Sequence, residues 1–598
     1  MQNGDERSNF SLLTDIWGYL PARRRMQGRL LVGFMVLTSF AEVFSIAAIF
    51  PFLKVLTEPG VVFEVARLKP LIDALGVTQP DGLRAPITLV FCAAVLFSGG
   101  MRIGLAWLSA RISEGAGADI RSLAFERTLY QPYAVHISRN SSEVIAAVIQ
   151  KTQVLISVMF AALSLVSSVL IGLALSATLI LIDPVVTITG VASIGLFYLV
   201  IAYSTKRVFQ RNSRCVAQET NVLLRVVQEA LGGIRDVIID GSQKMYLDHY
   251  CASEFRLRRA SASNRVLQST PRNLIEAIGV VAIACLAFAM VAQRGSAESA
   301  IATLGALALG VQKLLPLMQQ IFASWSMVQG SRRAITDSLE YLDQRVPDHA
   351  RIPVCEVEPI SFAREIRFED VCFRYTTETP MVLKGINLTV RRGERIGVMG
   401  RTGGGKSTFL DLLMGLLEPT SGGMYVDDQK IEPRQHRAWQ RHIAHVPQSI
   451  FLTDASIAEN IALGVPPRDI DLQRVRWAAQ KADIAEAVEK FSEGYDTRVG
   501  ERGVYLSGGQ RQRVGIARAL YKSADVIVLD EATSALDNGT EQSVMQSINS
   551  LDGTLTIFIV AHRLTTLTDC DRIIEIADGR VARVGTYAEM VEGAAVKV

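Results

Sequence analysis

The run Gly400-Arg401-Thr402-Gly403-Gly404-Gly405-Lys406-Ser407-Thr408 follows an apolar segment, Ile396 to Met399, and precedes a second, Phe409 to Leu417. Few side chains crowd this stretch, so backbone N–H groups can wrap an anion and the start of a helix can add its positive end. Lys406 can reach the terminal phosphates of a nucleoside triphosphate, and the Ser407 hydroxyl can serve Mg2+. The strand-to-helix context separates this P-loop from a glycine-rich turn with an incidental lysine. Further on, the apolar Val526-Ile527-Val528-Leu529 ends in Asp530-Glu531. The first carboxylate is placed to hold the Mg2+ shell and the next to orient or deprotonate a water. Alone, an acidic pair at a strand end is ordinary solvated termination. Behind a P-loop it is the other half of a hydrolytic site.

The segment Leu506-Ser507-Gly508-Gly509-Gln510-Arg511-Gln512-Arg513 resembles the signature of ABC ATPases. It is a second anion nest, a serine hydroxyl and bare glycine amides at a helix start. The resemblance implies that Ser507, Gly508, Gly509 and Gln510 face the γ-phosphate of ATP held by another subunit, so that hydrolysis needs two nucleotide domains head to tail. It also implies that Tyr375 stacks on adenine, that Gln448 touches the metal and takes part in catalysis, that Asp537 borders the nucleotide, and that His562 belongs with Glu531 in the hydrolytic machinery. Each of these four is weak alone; shared order and spacing give them weight. Glu531 is retained, so two copies would give two competent sites, which favours a homodimer over pairing with a related chain. Thr497-Arg498-Val499-Gly500-Glu501-Arg502-Gly503 resembles an exporter element that importer ATPases usually lack.

The elements that must carry these residues divide the chain. The β-branched runs Arg395 to Met399, Val526 to Leu529 and Thr556 to Val560 alternate with helical patterns, as an α/β fold with a largely parallel sheet requires. Ahead of residue 330 lie six apolar stretches, each near the roughly 20 residues a membrane-spanning helix needs: Leu30 to Leu53, Pro86 to Leu108, Val154 to Ile182, Val185 to Tyr203, Leu274 to Val291 and Ile301 to Phe322. The expected fold class is therefore an all-α six-helix transmembrane domain joined to an α/β P-loop ABC ATPase domain. Residues 1–28 read as an amphipathic N-terminal segment, 29–343 as the transmembrane domain, 344–362 as a proline-punctuated linker and 363–598 as the nucleotide-binding domain. In the exporter scheme, coupling helices fall near Gln131 to Ser141 and near Leu231 to Gly241. Arg23 to Arg25 and the basic polar segments bearing Lys206, Arg207, Arg211, Arg214, Arg256, Arg258 and Arg259 place the N-terminus, the long loops and the ATPase on the cytoplasmic side of a bacterial inner membrane. Val61 to Leu75 has the spacing of a short amphipathic helix at the outer surface.

Charged groups inside membrane segments are costly, so each asks for a partner or a function. Arg102, Arg272 and Lys313 fall in or beside the second, fifth and sixth stretches, with Glu42 and Glu276 as candidate countercharges. Paired or snorkelling, they are structural; facing a central cavity, they make a positive lining suited to phosphate or pyrophosphate. Ser39-Phe40-Ala41-Glu42 through Pro51-Phe52, and Ser269-Thr270-Pro271-Arg272 ahead of Glu276-Ala277-Ile278-Gly279, look like the PglK-type flippases of lipid-linked oligosaccharides. That resemblance implies a polyprenyl-pyrophosphate glycan moved outward by alternating access. A lipid A-like lipid, a drug or a peptide is the alternative cargo.

Composition agrees with part of the chain living in lipid: 598 residues, 49% hydrophobic, 20% charged, mean hydropathy +0.25. A net charge of +3 is too small to argue for nucleic acid as a partner. Seven scattered cysteines without a CxxC pair argue against a disulfide or zinc framework. The N-terminal stretch lacks the pattern of a removable signal peptide. A soluble ABC switch protein, the reading from another class, conflicts with six membrane segments.

Overall fold

The computed structural model describes residues 9–57, 60, 79–182, 184–294, 297–352, 357–532, 536, 538–549, 554–561 and 564–590. The chain forms two units, one of Met1–Leu129 with Arg139–Arg345, the other of Tyr130–Ser138 with Val346–Val598.

The first unit is helical. Its long helices are Ala22–Ala47, Arg84–Leu129, Thr152–Ile182, Pro184–Gly232, Gln243–Arg294 and Ala297–Gly330. Among the described residues, four segments are long and apolar enough to cross a membrane: Ala22–Ala47, Pro80–Leu129, Ser141–Leu181 and Val191–Gly232. The helix Gln243–Arg294 contains the fifth apolar stretch and Ala297–Gly330 the sixth. The first stretch is divided at Ala48, where the helix Ala22–Ala47 gives way to Ile49–Thr57. Pro184 opens its helix, where its missing N–H costs nothing. The proposed outer helix at Val61 to Leu75 lies outside the described residues. The two expected coupling segments contain short helices, Tyr133–Ser138 and Ile234–Ile239, and the first of them belongs to the second unit.

A core of Leu12, Ile16, Ile120, Leu155, Ile335 and Leu339 ties the N-terminal helix Asn9–Tyr19 to the long helices and to the helix Arg332–Leu342. Beside it a π-helical turn, Ala146–Lys151, brings a nearly buried Lys151 within 2.8 Å of Asp337 Oδ2, whose other oxygen lies 3.0 Å from Arg333 Nε. Burial of an ammonium is tolerated there because its charge is matched and hydrogen-bonded.

The second unit has two sheets. The strands are β1 Glu365–Phe373, β2 Leu383–Arg391, β3 Arg395–Met399, β4 Ser421–Val426, β5 Gln429–Lys430, β6 Ile443–Val446, β7 Val526–Asp530, β8 Thr556–Val560, β9 Arg572–Ala577 and β10 Arg580–Gly585. The larger sheet has the order β10-β9-β3-β8-β7-β6, parallel except for β9 with β10. A smaller antiparallel sheet, β2-β1-β4-β5, joins it. The parallel sheet was legible in the continuous apolar runs of β7 and β8. The antiparallel one was not, because β2 alternates buried and exposed positions and reads as a polar segment.

Candidate nucleotide-binding and hydrolysis site

The P-loop joins β3 to the helix Lys406–Leu413, which is shorter than the apolar run through Leu417 suggested. β3 is central, flanked by β8 and β9, and its Ile396 and Val398 pack with Phe409, Leu410 and Leu413. The loop is thus anchored at both ends in one hydrophobic cluster. Gly400, Gly403 and Gly405 have φ of 150°, 80° and 106°. A Cβ on Gly400 would lie 2.1 Å from the Ile576 carbonyl oxygen, and one on Gly405 2.8 Å from Leu383 Cδ2. Only glycine lets the loop fold this closely over the sheet. Lys406 Nζ donates to Gly400 O at 2.7 Å and to Arg401 O at 3.2 Å, so its ammonium curls back over the loop. Arg401, Thr402 and Ser407 are exposed, and Thr408 is buried. The first amides of the helix have no helical acceptor, which is what a phosphate requires.

Tyr375, half-exposed, is held at two points. Its hydroxyl is 3.1 Å from Thr408 Oγ1 and its ring meets Phe373 edge-on at 5.0 Å. The aromatic expected at the base is therefore joined to the phosphate loop itself.

Asp530 and Glu531 stand at the end of β7, as the sequence placed them. Glu531 adopts φ 50° and its N–H donates to Val560 O at 3.0 Å. Such a conformation is uncommon for a residue with a Cβ and is held here by the neighbouring strand. Gln448 Nε2 donates to Glu531 Oε2 at 2.6 Å, so two residues 83 positions apart meet. Asp411, on the P-loop helix, was not singled out by sequence. Burial and the charge of Asp530 push its carboxyl up to about 6. An acidic residue on an otherwise apolar helix run was the available signal. Asp537 and His562 lie outside the described residues.

The signature forms a separate nest. Ser507 caps the 15-residue helix Gly508–Lys522: its Oγ accepts from Gln510 N at 3.2 Å, and its own N–H donates to Gln510 Oε1 at 2.8 Å. This reciprocal box fixes the serine with one hydroxyl proton still to give. The helix packs through Val514, Ile516 and Ala517 into a cluster distinct from that of the P-loop helix.

The residues suit Mg–ATP. A glycine cradle, a reachable ammonium and unpaired amides match a triphosphate, and hydroxyl, amide and carboxylate oxygens from Ser407, Gln448 and Asp530 are the hard donors Mg2+ takes. Among the described residues no group of three or more His, Cys, Asp or Glu is arranged to hold a metal ion by itself.

Of the three cations singled out in the first unit, the structure describes the side chains of Arg102 and Arg272. Arg102 Nε is 3.4 Å from Glu42 Oε1; Glu42 is buried and Arg102 half-exposed. This is the pairing weighed as the structural reading. Arg272 is exposed, and the side chain of Lys313 lies outside the described residues.

A P-loop on a parallel sheet, a separate capped signature nest and a helical unit with membrane-spanning segments define an ABC exporter half. Matching models agree: "ABC transporter" covers residues 383–534 and "ABC transporter transmembrane region" covers 48–309. A protein of Ralstonia nicotianae named "ATP-dependent lipid A-core flippase" is 32% identical over 520 residues, 85% of each chain. One of the same name from Chromohalobacter salexigens is 33% identical over 406 residues, 68% of this chain and 69% of its own. The structure of a bacterial Atm1-family ABC exporter with ATP bound superposes with a TM-score of 0.76 at 22% identity, covering 96% of this chain and 97% of that one, a likeness of fold. The chain belongs to the ABC transporter family as a half-transporter of the exporter type, and its ATP hydrolysis drives export. Half-transporters of this kind work as dimers.

Proposed function

We propose that two copies of this chain form a homodimer in a bacterial inner membrane, with the ATPase domains cytoplasmic, and flip an anionic amphipathic lipid from the inner to the outer leaflet by alternating access. The observation that carries this reading is the presence, in one chain with a helical membrane unit, of two anion nests built on separate hydrophobic clusters. Each nest supplies part of what a triphosphate needs, so a second copy completes both sites.

In that arrangement the P-loop amides and Lys406 hold the phosphates, Tyr375 takes the base, and Ser507 with the Gly508 and Gly509 amides closes on the nucleotide of the other subunit. Ser407, Gln448 and Asp530 would hold Mg2+, which when bound neutralises phosphate charge. Glu531 accepts a proton from the attacking water, with Gln448 fixing its carboxylate and His562 beside it.

The membrane motifs point to a lipid-linked oligosaccharide on a polyprenyl pyrophosphate. The relatives named as lipid A-core flippases favour a lipid A-like second reading. Both carry phosphate. Arg102, Arg272 and Lys313 are the cations proposed to receive it, although Arg102 would have to share its charge with Glu42. The test is ATP hydrolysis by protein reconstituted in liposomes with a polyprenyl-pyrophosphate glycan, a lipid A-like lipid or hydrophobic drugs. Stimulation by a phosphorylated lipid, lost in Arg102→Gln with Lys313→Gln, is expected. Stimulation by drugs alone would remove the lipid assignment.

A further inference from the structure

A tether between domains needs no bonds of its own. Residues 346–362, the part of the linker that belongs to the second unit, carry several. Arg437 Nη2 donates to Ala350 O at 3.3 Å and Arg441 Nη1 to Val357 O at 2.6 Å. Further along, His442 Nε2 lies 2.8 Å from Ile360 O, and Arg392 Nη1 donates to Phe362 O at 2.9 Å. These last two side chains converge on one carboxylate. Asp525 Oδ2 lies 2.6 Å from His442 Nδ1, and Asp525 Oδ1 accepts from Arg392 Nη2 at 2.9 Å. Phe362 is buried beside them: the Arg392 guanidinium lies over its ring at 5.6 Å, and Trp439 meets it edge-on at 5.7 Å.

The convergence falls where two strands begin. His442 directly precedes β6 and Asp525 directly precedes β7. The strands are already joined there, Val526 N donating to His442 O at 2.8 Å. At the far ends of the same strands stand Gln448, two residues past β6, and Asp530 with Glu531, at the close of β7. β7 is buried from Val526 to Leu529, and β6 at Ile443, Ala444 and Val446. A five-residue strand is about 17 Å long, and one packed this way moves as a rigid piece. The phosphate cradle stands on β3, separated from β7 by β8.

We infer that His442 and Asp525 are positioning residues for hydrolysis: they buckle the linker to the starts of β6 and β7 and so set the Gln448–Glu531 contact at the other ends. The inference rests on the roles proposed above for Gln448 and Glu531. It makes the linker a covalent route by which the helical unit acts on the hydrolytic residues without acting on the phosphate cradle.

The test uses the full-length protein in detergent and three readouts: ATP turnover, the Kd for a fluorescent ATP analogue, and hydrogen–deuterium exchange of the amides from 350 to 362. His442→Leu keeps the bulk and loses both contacts. It should lower kcat about tenfold, as a small misplacement of a catalytic group does, with Kd unchanged within about twofold and exchange at 357 to 362 faster. Arg437→Gln with Arg441→Gln frees the outer linker and leaves Asp525 engaged. It should speed exchange near 350 to 357 and leave kcat within about twofold of wild type. Should His442→Leu not fold, His442→Gln, which still reaches one of the two oxygens, should show the same split at about threefold in kcat. Unchanged kcat with a released linker would overturn the inference, because the linker is then a passive tether. So would unchanged exchange, a joint loss of kcat and ATP affinity, or an equal fall of kcat in the outer double variant. Wild-type turnover in Glu531→Gln would remove the site reading and the positioning role with it, while exchange would still judge the buckle.

Discussion

Gln448 Nε2 lies 2.6 Å from Glu531 Oε2, and this contact joins the residue proposed to touch the metal to the one proposed to activate water. A change at either position alters the orientation of the other. In Glu531→Gln the phosphate cradle is untouched but no carboxylate remains to take a proton. ATP turnover should fall about a hundredfold or more, while nucleotide binding persists and the dimer stays closed. Steady-state hydrolysis and size-exclusion chromatography with ATP check this; wild-type turnover would dismiss Glu531 as the base.

Lys406→Ala acts earlier. Its ammonium now bonds two loop carbonyls and would exchange them for phosphate oxygens. Losing a charge-assisted hydrogen bond of about 1.5–3 kcal/mol should raise the Kd for ATP about tenfold to a hundredfold, measured with a fluorescent analogue. Unchanged affinity would exclude Lys406 from the phosphate site.

In the helical unit, Lys151→Met should strip Asp337 of its nearer cation and leave only Arg333. Breaking a mostly buried pair while a second cation remains should cost about 2 kcal/mol, read as a lower Tm in detergent. The double variant Lys151→Met with Asp337→Leu should recover part of the loss, because no carboxylate is then left buried. A double variant no better than the single would mean that packing, not charge, is at stake.

Asp427 offers a pH test in the ATPase unit. Its burial would raise the carboxyl, but hydrogen bonds from the Ala363, Glu365 and Arg364 amides, with the Arg364 charge, outweigh that and hold it below the usual carboxylate range. A depressed acid adds stability that is fully present above its unfolded value and lost as pH falls through its lower folded value. Asp427→Asn, which also tolerates the residue's φ of 52°, should therefore lower Tm at neutral pH, and the difference should shrink below about pH 4. A difference independent of pH would show that the amides do not need a charged acceptor.

The local geometry of the candidate ATPase site was largely legible because its parts are local: a glycine run between two apolar segments, an acidic pair ending a strand, a serine before two glycines. Each carries its element within about ten residues. What sequence could not supply was pairing at long range. Lys151 meets Asp337 across 186 positions, and Tyr375 meets Thr408 across 33. Nothing in either local pattern names the partner. Arg102 shows the same limit from the other side: its charge was conspicuous, but the contact with Glu42 depends on how two helices lie together. Residue spacing says that a charge is costly, and geometry says what relieves it.

The side chains expected at the nucleotide already have partners. Lys406 is satisfied by carbonyls of its own loop, the Tyr375 hydroxyl by Thr408, and the Gln448 amide by Glu531. In the proposed site ATP would exchange these internal bonds for external ones, so its affinity would be a difference between two sets of contacts and not a sum of new ones.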